Sequence, residues 1–216
     1  LSSVSKTTLH ARSTPEWKGQ TKIVERELEQ CHVVFGLPAP SATSAERYAL
    51  LVLSNIYGGG MSSRLFQQVR EERGLCYSIF SFGQLISDTG VFGVYAGTSE
   101  ESLNEMLEVS ARAFGDVASS VSDVEMARAR TQLKASVMMG LDSSTALNDH
   151  LARQVLMFGK VPQTENIIAA IEAVTADEVR TLAQKLISSS TPSLSLVGPA
   201  AHALTTDQLS SFMMRG

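Results

Sequence analysis

The chain has 216 residues, 44% of them hydrophobic and 19% charged, with a formal net charge of −4. That length can bury a substantial core, and the composition is ordinary for a soluble globular protein. The negative balance and the lack of any Lys/Arg cluster argue against nucleic acid as a partner, and no apolar run approaches the roughly 18 residues of a membrane span.

The chain starts at Leu1 with neither an initiator Met nor the basic leader and apolar stretch of a signal peptide, so it is expected to begin inside a longer protein. Residues 1–20 are rich in Ser and Thr, contain Pro15 and Gly19, and read as a linker or interdomain arm. Residues 21–216 are expected to form a single domain. Thr21 to Leu28 is β-favouring. The run Cys31 to Leu37 places Cys31, Val33, Phe35 and Leu37 on one face of a strand, before Pro38 and Pro40 stop it. Two cysteines, Cys31 and Cys76, are too few for a disulfide framework; they read as small buried apolar groups in a reducing, cytoplasmic setting.

Four helix starts carry the same signature, a Ser or Thr followed three residues later by Glu: Thr43 with Glu46, Thr98 with Glu101, Ser122 with Glu125, and Thr175 with Glu178. In such a box the hydroxyl satisfies an orphan amide of the first turn, and the carboxylate reaches back to the cap residue's own amide. The helices expected from apolar periodicity are 43–57, 99–118, a 123–158 stretch broken near Gly140-Leu141-Asp142-Ser143, 163–173 and 176–188. A hairpin is expected from Leu75 to Ile86 and Val91 to Gly97 across Ser87-Asp88-Thr89-Gly90, and a last strand from Ser193 to Val197. This order of elements predicts an α+β fold: a two-layer sandwich in which a mixed, largely antiparallel sheet is covered by helices on one face.

The histidines, His10, His32, His150 and His202, are scattered, and no HExxH or HxxEH pattern occurs. A metal site within this chain is therefore not expected. No GxSxG is present, and Cys76 beside Tyr77 reads as a buried, inert thiol. The informative stretch runs from Gly58 to Ser81. Three glycines, Gly58, Gly59 and Gly60, end a helix; Ser62 or Ser63 caps a new one running to Arg73, with Leu65, Phe66 and Val69 on its apolar face; and Gly74 is a left-handed stop. The reversal at Gly74 lets Arg70 and Tyr77 converge. Both are donors and neither is a base at neutral pH, which suits binding a carbonyl or an oxyanion. An ordinary helix-end Arg and core Tyr remain the alternative from spacing alone, and a phosphate cradle at the glycines lacks the GK[ST] that would support it.

The string GGGMSSRLFQQVREERGLCYSIFSF, followed by SDTGVFGVYAGTS, resembles the second homologous half of the inverted-zincin peptidases. These include the mitochondrial processing peptidase, its bacterial relatives and, more distantly, pitrilysin and insulysin. The similarity continues through ARARTQLKASVMMGLDSS, LARQVLMFGK and IEAVTADEVRTLAQKL, and covers roughly residues 21–198. The resemblance implies the processing-peptidase fold and a two-half clamshell closing on an extended peptide substrate. Zn²⁺ would be held by HxxEH on a separate N-terminal half or subunit. Arg70 and Tyr77 would contact the substrate near the scissile carbonyl. Gly58, Gly59, Gly60, Ser63 and Phe66 are candidate substrate-binding positions, the glycines foremost as backbone hinges. The chain alone is then expected to be inactive and to bind no zinc. A non-catalytic structural or partner subunit of the same family is the alternative, and pairing with a second copy through an exposed cavity face is conceivable.

Overall fold

Alternation decides the layering. In strand β2 (Cys31–Ala39), Cys31, Val33, Phe35 and Leu37 are buried while His32 and Val34 face outward. A period of two puts these two sets on opposite faces. The computed structural model describes residues 13, 15–140, 143–200 and 203–215. Its sheet has five strands in the order β1-β5-β2-β4-β3, with β1 at Thr21–Val24, β3 at Cys76–Leu85, β4 at Gly90–Thr98 and β5 at Ser193–Val197. Only β1 and β5 run parallel; the other neighbours are antiparallel, so the sheet is mixed as expected. In register, Val33 lies opposite Ala96, and Ala96 opposite Ile79; all three are buried on the helix side. Leu194 and Leu196 of β5 continue that apolar surface.

Seven α-helices are seen among the described residues: α1 (Arg47–Gly58), α2 (Leu103–Ser119), α3 (Asp123–Met139), α4 (Ser144–Phe158), α5 (Thr164–Ala173), α6 (Ala176–Ser189) and α7 (Thr206–Met213). A short π-helix spans Phe66–Glu71 between α1 and β3. The core is closed by α1 (Leu50, Val52, Leu53, Ile56, Tyr57), α2 (Met106, Leu107, Phe114, Val117) and α6 (Val179, Leu182, Leu186). At its centre the rings of Tyr57, Phe92 and Phe114 pack together, with centroid separations of 5.0 to 6.0 Å. Tyr57 keeps its buried hydroxyl satisfied by donating to the Ser110 carbonyl at 2.7 Å.

Two of the four expected capping boxes form, at Ser122–Glu125 and Thr175–Glu178. The other two do not. Thr98 is the last residue of β4, and its buried hydroxyl donates to the Leu75 carbonyl at 2.6 Å; α2 begins later, after Ser102. Thr43 sits in the loop before α1 and donates to Ser87 O at 3.1 Å, so α1 starts only at Arg47. In both cases a bond to a distant carbonyl orients the hydroxyl, and the helix begins beyond the residue. Helix α7, capped by Thr205 with Gln208 in the Glu position, lies beyond the expected elements. The break in the 123–158 stretch falls where anticipated, although Leu141 and Asp142 lie outside the described residues. Residues 1–12 and 14 of the anticipated arm are outside them too. Further along, Trp17 donates to Thr191 O at 2.9 Å, and Lys18 O accepts from Ser193 at 3.3 Å, tying that stretch to the approach to β5.

Helix α1 ends against the sheet with no room to spare. A Cβ on Gly58 would lie 2.5 Å from the Ser81 backbone nitrogen of β3. Gly58→Val is therefore expected to push α1 off β3 and to destabilise the fold by about 1–3 kcal/mol. A lowered urea midpoint would show this; an unchanged one would contradict the packing.

Candidate functional site

The segment between α1 and β3 hangs on α3 by three side chains. Arg64 donates through Nε to Glu125 Oε1 at 2.7 Å, and through Nη2 to the Ser120 carbonyl at 2.7 Å and Glu125 Oε2 at 3.1 Å. Arg128 donates to Ser62 O at 3.0 Å, and Gln132 to Gly59 O at 2.9 Å. Burial disfavours the Glu125 carboxylate, but the Arg64 hydrogen bond and the backbone and hydroxyl bonds from Ser122 outweigh it, lowering its pKa to about 2.

Beyond this brace the chain enters the π-helix. The Glu72 amide bonds to Gln67 O at 2.9 Å, five residues back, and the Leu75 amide to Val69 O at 3.0 Å. This wide turn replaces the α-helix expected up to Arg73, and the helix ends at Glu71. Gly74 then takes φ +63°, the left-handed stop anticipated from sequence, with no atom near the place a Cβ would occupy. Leu75 and Cys76 turn inward, both buried.

Tyr77 does not follow the alternation. Cys76 pairs with Thr98 and Ser78 with Gly97, so Tyr77 is the additional residue of a β-bulge. Bulges of this kind re-aim a side chain, and Tyr77 is 77% exposed. The Arg70 guanidinium lies 4.6 Å from the centre of the Phe66 ring and 5.7 Å from that of Tyr77, so the cation is held between two aromatic rings. Its nearest carboxylate is Glu71 at 3.9 Å, with both side chains partly exposed, a pairing too loose to neutralise it. The structure therefore brings Arg70, Tyr77 and Phe66 together.

The remaining candidate positions are placed elsewhere. Gly58 is enclosed beneath β3, and Gly59 and Gly60 abut Asn55 and Gln132 respectively. None of the three has a positive φ. Ser63 is buried and accepts from the Phe66 amide at 3.4 Å, acting as a local cap. Of these four, Gly58 and Ser63 are buried, while Gly59 is exposed and Gly60 partly so. Sequence reasoning did not identify the bulge at Tyr77 or the Arg64–Glu125 brace; the Glu125 it assigned to a capping box serves both functions.

Among the described residues no three His, Cys, Asp or Glu side chains converge on a common point. His32 is on β2 and His150 on α4, while His10 and His202 lie outside the described residues. The described donor set does not fit a zinc ion. Burial raises the Cys76 thiol to about 11 against a smaller opposing pull from Arg70. Cys31, raised by burial and by the Glu100 carboxylate, donates to Pro199 O at 2.6 Å. Neither is a nucleophile at neutral pH.

Comparison with known proteins places the chain in a family. The model of the peptidase M16 inactive domain matches residues 4–133, and the chain belongs to that family. It is 38% identical over 189 residues to an uncharacterized zinc protease of Streptomyces coelicolor, covering 87% of this chain and 41% of that protein. An uncharacterized zinc protease of Bacillus subtilis is 30% identical over 189 residues, covering 87% and 46%. The chain thus spans less than half the length of these curated relatives. A chain of complex III2 from Candida albicans, solved with Inz-5 bound, shares the fold with a TM-score of 0.84 at 20% identity, over 91% of this chain and 49% of that one. No helix among the described residues is long and apolar enough to cross a membrane.

Two outcomes test this geometry. Because Glu125 titrates lower in the folded chain than its ordinary value of 4.5, its contribution is fully present above about pH 4.5 and is lost as pH falls towards 2. Glu125→Gln should cost about 1–2 kcal/mol at pH 7 and flatten the acid limb of a urea-stability profile; parallel profiles for the two proteins would refute the brace. The second outcome concerns the thiols: at pH 7 the native chain should label with iodoacetamide far more slowly than the urea-unfolded chain, and fast native labelling at Cys76 would contradict its burial.

Proposed function

We propose that this chain is the C-terminal half of a zinc-dependent endopeptidase, the HxxEH zinc site being carried on a separate N-terminal half. The observation that carries the reading is the Arg70–Tyr77 pair, two donors brought together at an exposed turn. Such a pair serves charge that develops on a substrate and cannot generate the nucleophile. The names of the relatives support a peptidase context, and the share of their length left unmatched accommodates another half.

In this reading an extended peptide lies against the turn with its scissile carbonyl towards Arg70 and Tyr77. As water adds to the carbonyl carbon, negative charge grows on the oxygen. The Tyr77 hydroxyl donates a hydrogen bond to that oxygen and the Arg70 guanidinium supplies a fixed positive charge. Phe66 and Tyr77 hold the guanidinium between their rings, so little reorganisation is needed as the charge forms. Gly74 and the bulge set the approach of the two side chains.

A non-catalytic partner subunit is the second reading, and the likeness in fold to a chain of complex III2 lends it support. The exposure of Tyr77 weighs against it, because a purely structural subunit has no evident use for that pair.

The test is cleavage of a quenched fluorescent peptide by the complete protein with zinc. Arg70→Ala and Tyr77→Phe are each expected to lower kcat by about 10²–10³-fold without shifting the thermal midpoint. Full turnover in both variants would reject the assigned roles, and a zinc-loaded complete protein that cleaves no peptide would favour the structural subunit.

A further inference from the structure

We infer that the uncovered face of the sheet carries a subsite for a large uncharged side chain of a peptide, formed by Phe80, Phe82, Tyr95 and His32. The helices bury one face, and the rows on the other run across three strands. Ser78, Gly97 and His32 form the first row; Phe80, Tyr95 and Val34 the second; Phe82, Gly93 and Gly36 the third. The aromatic side chains make one continuous band. Phe80 and Tyr95 have ring centroids 5.1 Å apart, Phe80 and Phe82 6.5 Å, and Tyr95 and His32 6.2 Å. The Tyr95 hydroxyl and His32 Nδ1 share a hydrogen bond of 2.9 Å, which fixes the polar end of the band.

The floor of this band is glycine. A Cβ at Gly93 would meet the Phe82 ring at 2.5 Å, so the ring lies directly over that backbone. A Cβ at Gly97 would crowd Ser78 Oγ at 3.2 Å. Gly36 and Gly93 sit opposite one another, and the space above Gly93 is taken by the Phe82 ring. Yet the band is not buried: Phe80 is 46% and Val34 36% exposed. A contiguous apolar surface of this kind marks a binding site.

Charge identifies the occupant. Along these rows β2, β3, β4 and β5 contribute no Asp, Glu, Lys or Arg; Lys22 of β1, paired with Ser195, lies at the far edge. Arg153 of α4 borders the band only at its Phe82 end, so a charged side chain seated on Phe80 and Tyr95 would lose hydration with no ionic partner from these strands, whereas an aromatic or large aliphatic one gains by burial. Position identifies the source. The first row begins at Ser78, directly after the bulged Tyr77, and Phe80 is three strand residues from Tyr77, about 10 Å along the strand. An extended peptide spans that distance in about three residues. The subsite thus lies within reach of the peptide whose carbonyl meets Arg70 and Tyr77, and in this it rests on the peptidase reading.

A binding measurement tests the subsite without turnover. The isotopically labelled chain is titrated with blocked alanine peptides that differ only in a central Phe, Ala or Asp. The Phe peptide is expected to shift the amides of Gly36, Gly93 and Gly97 and to bind about tenfold more tightly than the Asp peptide. Phe80→Ala, at an exposed position, should remove that advantage while leaving the thermal midpoint unchanged. Equal binding of the three peptides, or shifts confined to other parts of the chain, overturns the proposal. Shifts of the same glycines on dilution of the protein alone would put a second copy on this face and also overturn it. In the complete protein, Phe80→Ala should lower kcat/KM about tenfold for a Phe-bearing peptide and not for its Ala counterpart; a lowered thermal midpoint with unaltered preference would mean that another part of the polypeptide covers the face. Arg70 and Tyr77 variants with full turnover would sink the peptidase reading while leaving the glycine shifts to be judged on their own.

Discussion

Val33, Phe35, Ala96, Val94, Leu194 and Leu196 turn to the same side of the sheet, and the helices of the structure exist to cover them. A helix buries only one stripe and a sheet offers two faces. With α1, α2 and α6 committed to one side, the alternate residues His32, Val34, Tyr95 and Phe80 are left facing outward. One-sided burial therefore creates both layers at once: a closed apolar core and an open, partly aromatic surface. That open surface carries the aromatic band, and the rim where β3 begins carries Arg70 and Tyr77.

The rim is shaped by three local departures from regular structure in quick succession. The π-helix widens the last turn around Arg70, Gly74 reverses the backbone through a left-handed conformation, and the bulge at Tyr77 breaks the alternation of β3. Each departure costs backbone regularity and forms where surrounding contacts hold it. Here the contacts are specific. Arg64 and Glu125 fasten the segment before the π-helix to α3, and Thr98 fastens Leu75 to the end of β4. The cluster of Phe66, Arg70 and Tyr77 is thereby held on a rigid frame although its own atoms are exposed, the condition a positioned donor requires.

Much of this frame was legible in the sequence because it rests on period and punctuation. The alternation from Cys31 to Leu37, the hairpin turn before Gly90, the Gly74 stop and the capping boxes at Ser122 and Thr175 are written locally. Thr43 and Thr98 carry the same local pattern, yet their hydroxyls are oriented by bonds to Ser87 and Leu75, 44 and 23 residues away; no short pattern reports such distant partners. The π-helix and the bulge each insert a residue into an otherwise regular repeat, and a repeat read in sequence has no sign for the insertion. Helix α4 shows the converse: its apolar residues recur at helical spacing, but Leu151, Val155 and Leu156 are exposed, because periodicity records an apolar stripe and not what meets it. The pairing of Arg70 with Tyr77 was legible through Gly74, whereas the aromatic band needed the register of three strands, which only pairing across the sheet supplies.

The two surfaces assigned to substrate differ in what they can do for a reaction. An aromatic band meets a side chain that is the same in the ground state and the transition state, so its stabilisation is uniform and acts on binding. In the proposed reaction Arg70 and Tyr77 face an oxygen whose charge changes during attack, so their stabilisation would be differential and act on the chemical step. A domain with no metal-binding cluster among its described residues can still contribute in both ways, provided the two surfaces are held at a fixed separation. Strand β3 supplies that separation: it carries Tyr77 in the bulge at its start and Phe80 three residues on, with Ser78 to Leu85 paired to β4. In the proposed complex, that one edge strand would couple where a peptide is held to where its carbonyl is placed.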